Sequence, residues 1–347
     1  MIKLSNVGFK KLKHYLSASL LTTIAGIITF PILTRILSKA DYGTYSLIQG
    51  AQLIYEAILK CGGQLSVLRF YPEMMKGDSV TKNLYLTNAL ILPLFFSFLI
   101  SILFVIGIVL YSLFVEPQFL FILVILSAQA SILMSYFHSL MQASGRSKLD
   151  AIADILKKYL YLAMVIPIVI YFMSSFWGVY WSICISSLIT SVFIVYVNKD
   201  FFNGVQVTFN IDYIKKFLLY SFPLFLTEIS AISMSYVDRF VMAALDIPMG
   251  EIGLYAIGMG LANVFFMLIW KTIQPLVFPV INDIHDNGDL IGAIKQLSEA
   301  ANIFVLLSIS ILVGVYLNCS DFLILLSGND KVGAALFFFL GLLVLLT

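Results

Sequence analysis

Runs of about twenty apolar residues, broken by short polar stretches, recur along the whole chain. A helix needs roughly 20 such residues to cross a bilayer, and segments that qualify fall near residues 17–37, 42–62, 86–112, 118–141, 152–173, 176–197, 217–245, 252–274, 297–318 and 332–347. Transmembrane strands would instead alternate apolar and polar positions in blocks of about ten, which runs such as Leu90–Leu110 do not. The pattern predicts an all-α polytopic membrane protein with ten helices. Composition agrees: 61% of residues are apolar and 12% are charged, against about 45–50% and about 25% in soluble domains. The soluble enzyme classes are therefore excluded. A net charge of +2 gives no support for a nucleic-acid partner.

Orientation follows from Lys and Arg, which favour the cytoplasmic side. The N-terminus and alternate connections carry 17 of the 21 basic residues, among them Lys10, Lys11, Lys60, Arg69, Arg146, Lys148, Lys215 and Lys216. The N-terminus is expected in the cytoplasm. Segment 17–37 is too long for a signal peptide and lacks a small-residue exit, so it reads as the first membrane helix. The opposite connections, near Ser38–Asp41, Ser112–Pro117, Ser174–Ser175, Asp246–Glu251 and Asn318–Lys331, are too short to fold as a domain.

The polar break at Asn198–Lys216 divides the chain, and the two parts resemble each other. Arg35 matches Arg239 at an offset of 204, Gly43 matches Gly253 and Tyr45 matches Tyr255 at 210, and Pro72 matches Pro279 at 207. Six helices return the chain to its starting side, so the repeats are expected to be parallel, with substrate bound between them. The first bundle is assigned to 1–205, and 206–347 holds four helices of the second. The chain stops within an apolar run, which suggests a sequence two helices short of a matching pair.

Ionisable groups inside membrane helices are costly and default to functional roles. Here they are Arg35, Glu56, Glu228, Asp238 and Arg239, with His138 and Lys271 nearer the cytoplasmic ends. Tyr45, Gln49, Gln52 and Glu56 follow one helix face. Such a stripe suits a sugar-binding wall, because amides and phenols both donate and accept hydrogen bonds; interhelical hydrogen bonding is the other reading. A second stripe runs through Ser131, Ser135, His138 and Gln142. Glu228 lies near mid-bilayer, where a carboxylate is protonated or paired. Glu228, Glu56 and Asp238 are candidates for coupling to H+ or Na+. Arg35 and Arg239 can each hold a phosphate through two parallel hydrogen bonds, or can extend to the interface. His138 has no ligand partner at metal spacing, and Cys61, Cys184 and Cys319 are widely separated, so no metal or cofactor is expected. No phosphate-binding loop is present, which excludes an ATP-driven pump.

Three segments carry a family resemblance. Residues Phe30–Tyr45, reading FPILTRILSKADYGTY, resemble the opening helix pair of polysaccharide-repeat-unit flippases, within the multidrug/oligosaccharidyl-lipid/polysaccharide (MOP) exporter superfamily. Gln142–Lys148 resembles that family's connection after the fourth helix, and Val237–Phe240 with Gly253–Tyr255 its seventh and eighth helices. The resemblance implies two six-helix bundles around a cavity that opens alternately to each side. It implies a substrate of the polyprenyl-diphosphate-linked oligosaccharide kind, such as an O-antigen or capsule repeat unit. It also implies a bacterial inner membrane, membrane lipids as surroundings, and polysaccharide-assembly proteins as partners. A drug/cation antiporter or a peptidoglycan-precursor flippase of the same superfamily are alternatives. A membrane glycan polymerase or ligase fits less well, because the outer loops are short.

Overall fold

The computed structural model describes residues 6–112, 119–203, 205–286 and 290–346. Among them the chain is helical almost throughout: α1 (Asn6–Ile36), α2 (Lys39–Lys60), α3 (Gly63–Lys76), α4 (Ser79–Tyr85), α5 (Leu92–Ser112), α6 (Phe119–Ala143), α7 (Ser147–Pro167), α8 (Phe176–Val197), α9 (Ile211–Ala244), α10 (Met249–Asp286), α11 (Leu290–Ser327) and α12 (Ala335–Leu346). Nine spans among the described residues are long and apolar enough to cross a membrane. Together they make the chain a multi-pass membrane protein. Helix α2 falls outside that set although it is 22 residues long, because Gln49, Gln52, Glu56 and Lys60 dilute its apolar content.

Two elements differ from the sequence expectation. The break after residue 62 contains a further helix, α3, whose buried Val67, Phe70, Tyr71 and Met74 alternate with exposed Arg69, Glu73 and Lys76. It is an amphipathic helix, and its polar face made it read as a connection. The loop expected at Asn318–Lys331 is mostly helix: α11 runs on to Ser327, and only Gly328 and a 3-10 turn at Asn329–Ala334 precede α12. Asn318 satisfies its amide on the carbonyl of Gly314 at 3.0 Å, one turn back, so a polar residue is accommodated without ending the helix. The expected connection at Ser112–Pro117 lies largely outside the described residues.

The chain clusters into two compact units, one of Met1–Thr29 with Leu47–Val241, the other of Phe30–Ser46 with Met242–Thr347. The first unit is built on a core of Val67, Phe70, Tyr85, Leu90, Tyr136, Leu140 and Phe217, drawn from α3 to α6 and α9. A π-helical turn, Leu86–Ile91, joins α4 to α5. There Asn88 donates to the carbonyls of Leu84 and Thr208 and accepts from the amide of Asn210, while Thr87 accepts from the amide of Thr208. These side chains hold the 205–210 segment in place of a β partner. In the second unit α10 packs against both α11 and α12.

Asp78 caps α4 by accepting from the Thr81 amide and hydroxyl, each at 2.9 Å. These bonds hold its carboxyl below the ordinary value of 3.8. A depressed acid stabilises the fold above its unfolded pKa, and the contribution is lost as pH falls through the lowered value. The protection factor of the Thr81 amide, the intrinsic exchange rate divided by the observed rate at the same pH, is therefore expected to fall as the pH drops below 4, and to be low at every pH in Asp78→Ala.

Candidate functional site

The polar residues of the first unit converge on α2 and the turn that follows it. Cys61 and Gly62 both take positive φ, 45° and 67°, which ends α2 and starts α3 within two residues. Glycine adopts this conformation without steric cost. The turn places Lys60, the last residue of α2, and Gln64, in the first turn of α3, on either side of Glu228 from α9. Lys60 Nζ lies 2.6 Å from Glu228 Oε1, and Gln64 Nε2 donates to Oε2 at 3.2 Å. Lys60 is 11% exposed and Glu228 25%, so the pair is largely withdrawn from solvent. The hydroxyl of Tyr136 donates to the carbonyl of Lys60 at 3.1 Å and fills the space beside Gly63. A cavity of about 340 Å³ opens beside the pair, lined by Lys60, Gly63, Asn88, Phe96, Tyr136 and Ser221.

One turn earlier on α2, Glu56 is buried and accepts from Gln52 Nε2 at 2.9 Å. Lys60, Lys157 and Glu228 all lie within electrostatic reach of it. Lys157 is anchored to the hydroxyl of Ser131 at 3.2 Å. Two acids and two bases from α2, α7 and α9 thus form one cluster. Gln52 also borders a second cavity of about 380 Å³, with Tyr55, Phe104 and Phe240.

The other sequence-predicted residues are distributed as follows. Tyr45 lies in the second unit, buried, with its ring edge-on to Tyr42 at 5.8 Å. Gln49 is partly buried on the same helix. Arg35 is exposed in the last turn of α1 and donates to the carbonyl of Leu325 in α11. A cation there also complements the helix dipole. Asp41, its nearest acid in sequence, is held by Ser38 at 2.6 Å. Arg239 is buried, with its guanidinium 4.7 Å from the centre of the Tyr236 ring, and its Nε has no hydrogen-bond partner among the described residues. Asp238 accepts from the backbone amide of Arg239 at 2.8 Å. The side chains of Lys271 and of Phe278-Pro279 lie outside the described residues.

Sequence reasoning missed the partners of His138. Its Nδ1 meets Asp150 Oδ1, and its Nε2 lies 3.4 Å from Asp154. Both acids stand on α7, beyond the turn at Gly145, where φ is +75°, so neither has helical spacing from His138. In the same turn Arg146 stacks over Phe201 at 4.4 Å and donates to the carbonyl of Val197. Among the described residues no group of three or more His, Cys, Asp or Glu is arranged to hold a metal ion.

An all-helical, multi-pass chain with charged groups buried between its helices has the build of a membrane transporter. The model for the polysaccharide biosynthesis protein family matches residues 10–285, and the chain belongs to that family. No protein of curated function matches it in sequence. Among solved structures, a MATE protein in complex with MaL6 is 16% identical, with 97% of this chain covering 78% of that one at a TM-score of 0.61. A variant of the Vibrio cholerae MATE transporter VcmN is 15% identical, covered 97% and 81%, at 0.58. A MATE protein in complex with Br-NRF is 13% identical, covered 97% and 93%, at 0.55. At these identities the likeness is one of fold.

Proposed function

We propose that this protein flips polyprenyl-diphosphate-linked oligosaccharide repeat units from the cytoplasmic to the outer leaflet of a bacterial inner membrane. It does so by alternating access between an N-terminal bundle, 1–205, and a C-terminal one that begins at 206, with the N-terminus cytoplasmic. The observation that carries this reading is Arg239: a buried guanidinium over an aromatic ring, with its Nε left without a partner among the described residues, beside membership in a polysaccharide biosynthesis family. Buried donors are normally paired, and an anionic diphosphate or acidic sugar supplies the acceptor. Arg35 serves as the second cation. The stripe Tyr45, Gln49, Gln52 and Glu56 offers the donors and acceptors that a glycan needs. A drug/cation antiporter would favour an acidic cavity, whereas the matched arginines favour an anion.

Transport is coupled to H+ or Na+, and Glu56 is the best-placed carrier. Its one hydrogen-bonded side-chain partner among the described residues is the neutral amide of Gln52, whereas the carboxylate of Glu228 is already held by Lys60 and Gln64. Asp238 is the remaining acidic candidate. The test is to delete the gene and measure lipid-linked oligosaccharide in each leaflet together with surface polysaccharide. Wild type restores outward transfer. Arg239→Ala is expected to weaken it about tenfold to a hundredfold, the equivalent of one charge-assisted bond of about 1.5–3 kcal/mol. Glu56→Gln retains substrate binding and loses the response to the gradient. Normal polysaccharide in the deletion strain, with altered sensitivity to cationic drugs, would favour the antiporter.

A further inference from the structure

Two of the residues that mark the internal repeat touch each other. A β-carbon built on Gly43 of α2 would stand 2.2 Å from the carbonyl oxygen of Met249 and 3.0 Å from the amide nitrogen of Gly253. One built on Gly253 of α10 would stand 1.9 Å from the carbonyl oxygen of Lys39 and 3.1 Å from the amide nitrogen of Gly43. The contact is reciprocal. Each glycine meets the carbonyl four residues before the other, and the pairs Gly43/Gly253 and Lys39/Met249 are both 210 positions apart. A local two-fold axis therefore passes between the two glycines, and the approach is backbone on backbone. Both contacting ends belong to the second unit.

The repeat continues one step along each helix. Gly50 and Gly260 are again 210 positions apart, and each receives an aromatic ring: Tyr236 of α9 beside Gly50, Phe30 of α1 beside Gly260. The crossing itself lies at the first turns of α2 and α10, on the face where α1 ends, opposite the N-terminus. Because neither glycine carries a side chain, no side chains from these two positions interlock there. Neither glycine has a side chain to disengage when the contact separates, while a carbon on either side prevents it from closing. Small residues at helix crossings in membranes allow this closeness, with Cα–H groups directed at carbonyl oxygens.

We propose that the Gly43–Gly253 crossing is the seal that closes the face of the transporter opposite its N-terminus, and that the ends of α2 and α10 part there when that face opens. The proposal rests on the alternating-access reading above. Its test uses a cysteine pair across the crossing. A β-carbon on Gly250 would lie 3.8 Å from that of Lys39, the usual separation in a disulfide. With Cys61, Cys184 and Cys319 replaced by Ala, Lys39→Cys/Gly250→Cys is oxidised in cells. A further cysteine at the buried Ser46, in the next turn of α2, is then labelled with a membrane-impermeant maleimide.

The disulfide is expected to form, to reduce labelling at 46 at least fivefold, and to abolish surface polysaccharide until a reductant is added. Gly43→Ala, without the disulfide, is expected to raise labelling several-fold. Failure of the pair to cross-link would overturn the proposal, as would unchanged labelling in both variants, or full polysaccharide output from the oxidised protein where gene deletion abolishes that output. The transport reading fails separately: gene deletion would leave polysaccharide and its lipid-linked precursors unchanged, while the labelling differences would still establish the seal.

Discussion

Replacing Lys60 with Met is expected to destabilise the protein by about 2–3 kcal/mol, measured as unfolding in mixed micelles with increasing SDS. Removing one partner of a buried ion pair costs about 3–5 kcal/mol, because the other charge is left uncompensated. The lower figure applies here because Glu228 retains 25% of its side-chain exposure and a second donor in Gln64. Glu228→Met is expected to cost less, since Lys60 at the end of α2 can extend toward the interface. The double variant should lose clearly less than the sum of the two, with a coupling of at least about 1 kcal/mol. Ordinary interhelical hydrogen bonds in membranes average about 0.6 kcal/mol, so a coupling at that level or below would show the pair to be incidental.

Gly62→Ala is the second large effect. The residue sits at φ +67°, and its β-carbon would stand 2.5 Å from the carbonyl oxygen of Ser221. The left-handed backbone costs an alanine about 1 kcal/mol, and the clash with backbone forces α3 and α9 apart, as overpacking does at about 1–3 kcal/mol. A total near 3 kcal/mol is expected in the same SDS titration. Gly107→Ala is the control: nothing lies within 4 Å of its added carbon, so it should be neutral or stabilise by about 0.5–1 kcal/mol. Equal effects at the two glycines would mean that the turn is not under this constraint.

Most of the helices were legible in the sequence because the bilayer demands long apolar runs and leaves few alternatives. Helix α3 was not, since an amphipathic helix with Arg69, Glu73 and Lys76 on one face has the composition of a connection. The polar cluster Asn318, Ser320 and Asp321 mimicked a loop inside α11 for the same reason. Within the candidate site, Gln52 and Glu56 were visible as one face of α2, because helical spacing is a local property. The pairing of Glu228 with Lys60 was not, as 168 residues separate them and nothing local selects one lysine among many. Asp150 and Asp154 escaped notice as partners of His138 because the turn at Gly145 reverses the chain between them. The glycine crossing was half visible: the offset of Gly43 and Gly253 could be read, but not that the two residues meet.

The distance along the chain between Lys60 and Glu228 also has a consequence for biogenesis. Helix α2 leaves the ribosome carrying Glu56 and Lys60, and it is too polar to count among the nine strongly apolar spans. Its counter-charge on α9 is synthesised 168 residues later, which at about 5–20 residues per second is a delay of roughly 8 to 34 seconds. During that interval the insertion machinery, rather than the finished fold, has to shelter Lys60 without its partner from α9. The second half of the protein therefore completes the membrane insertion of the first.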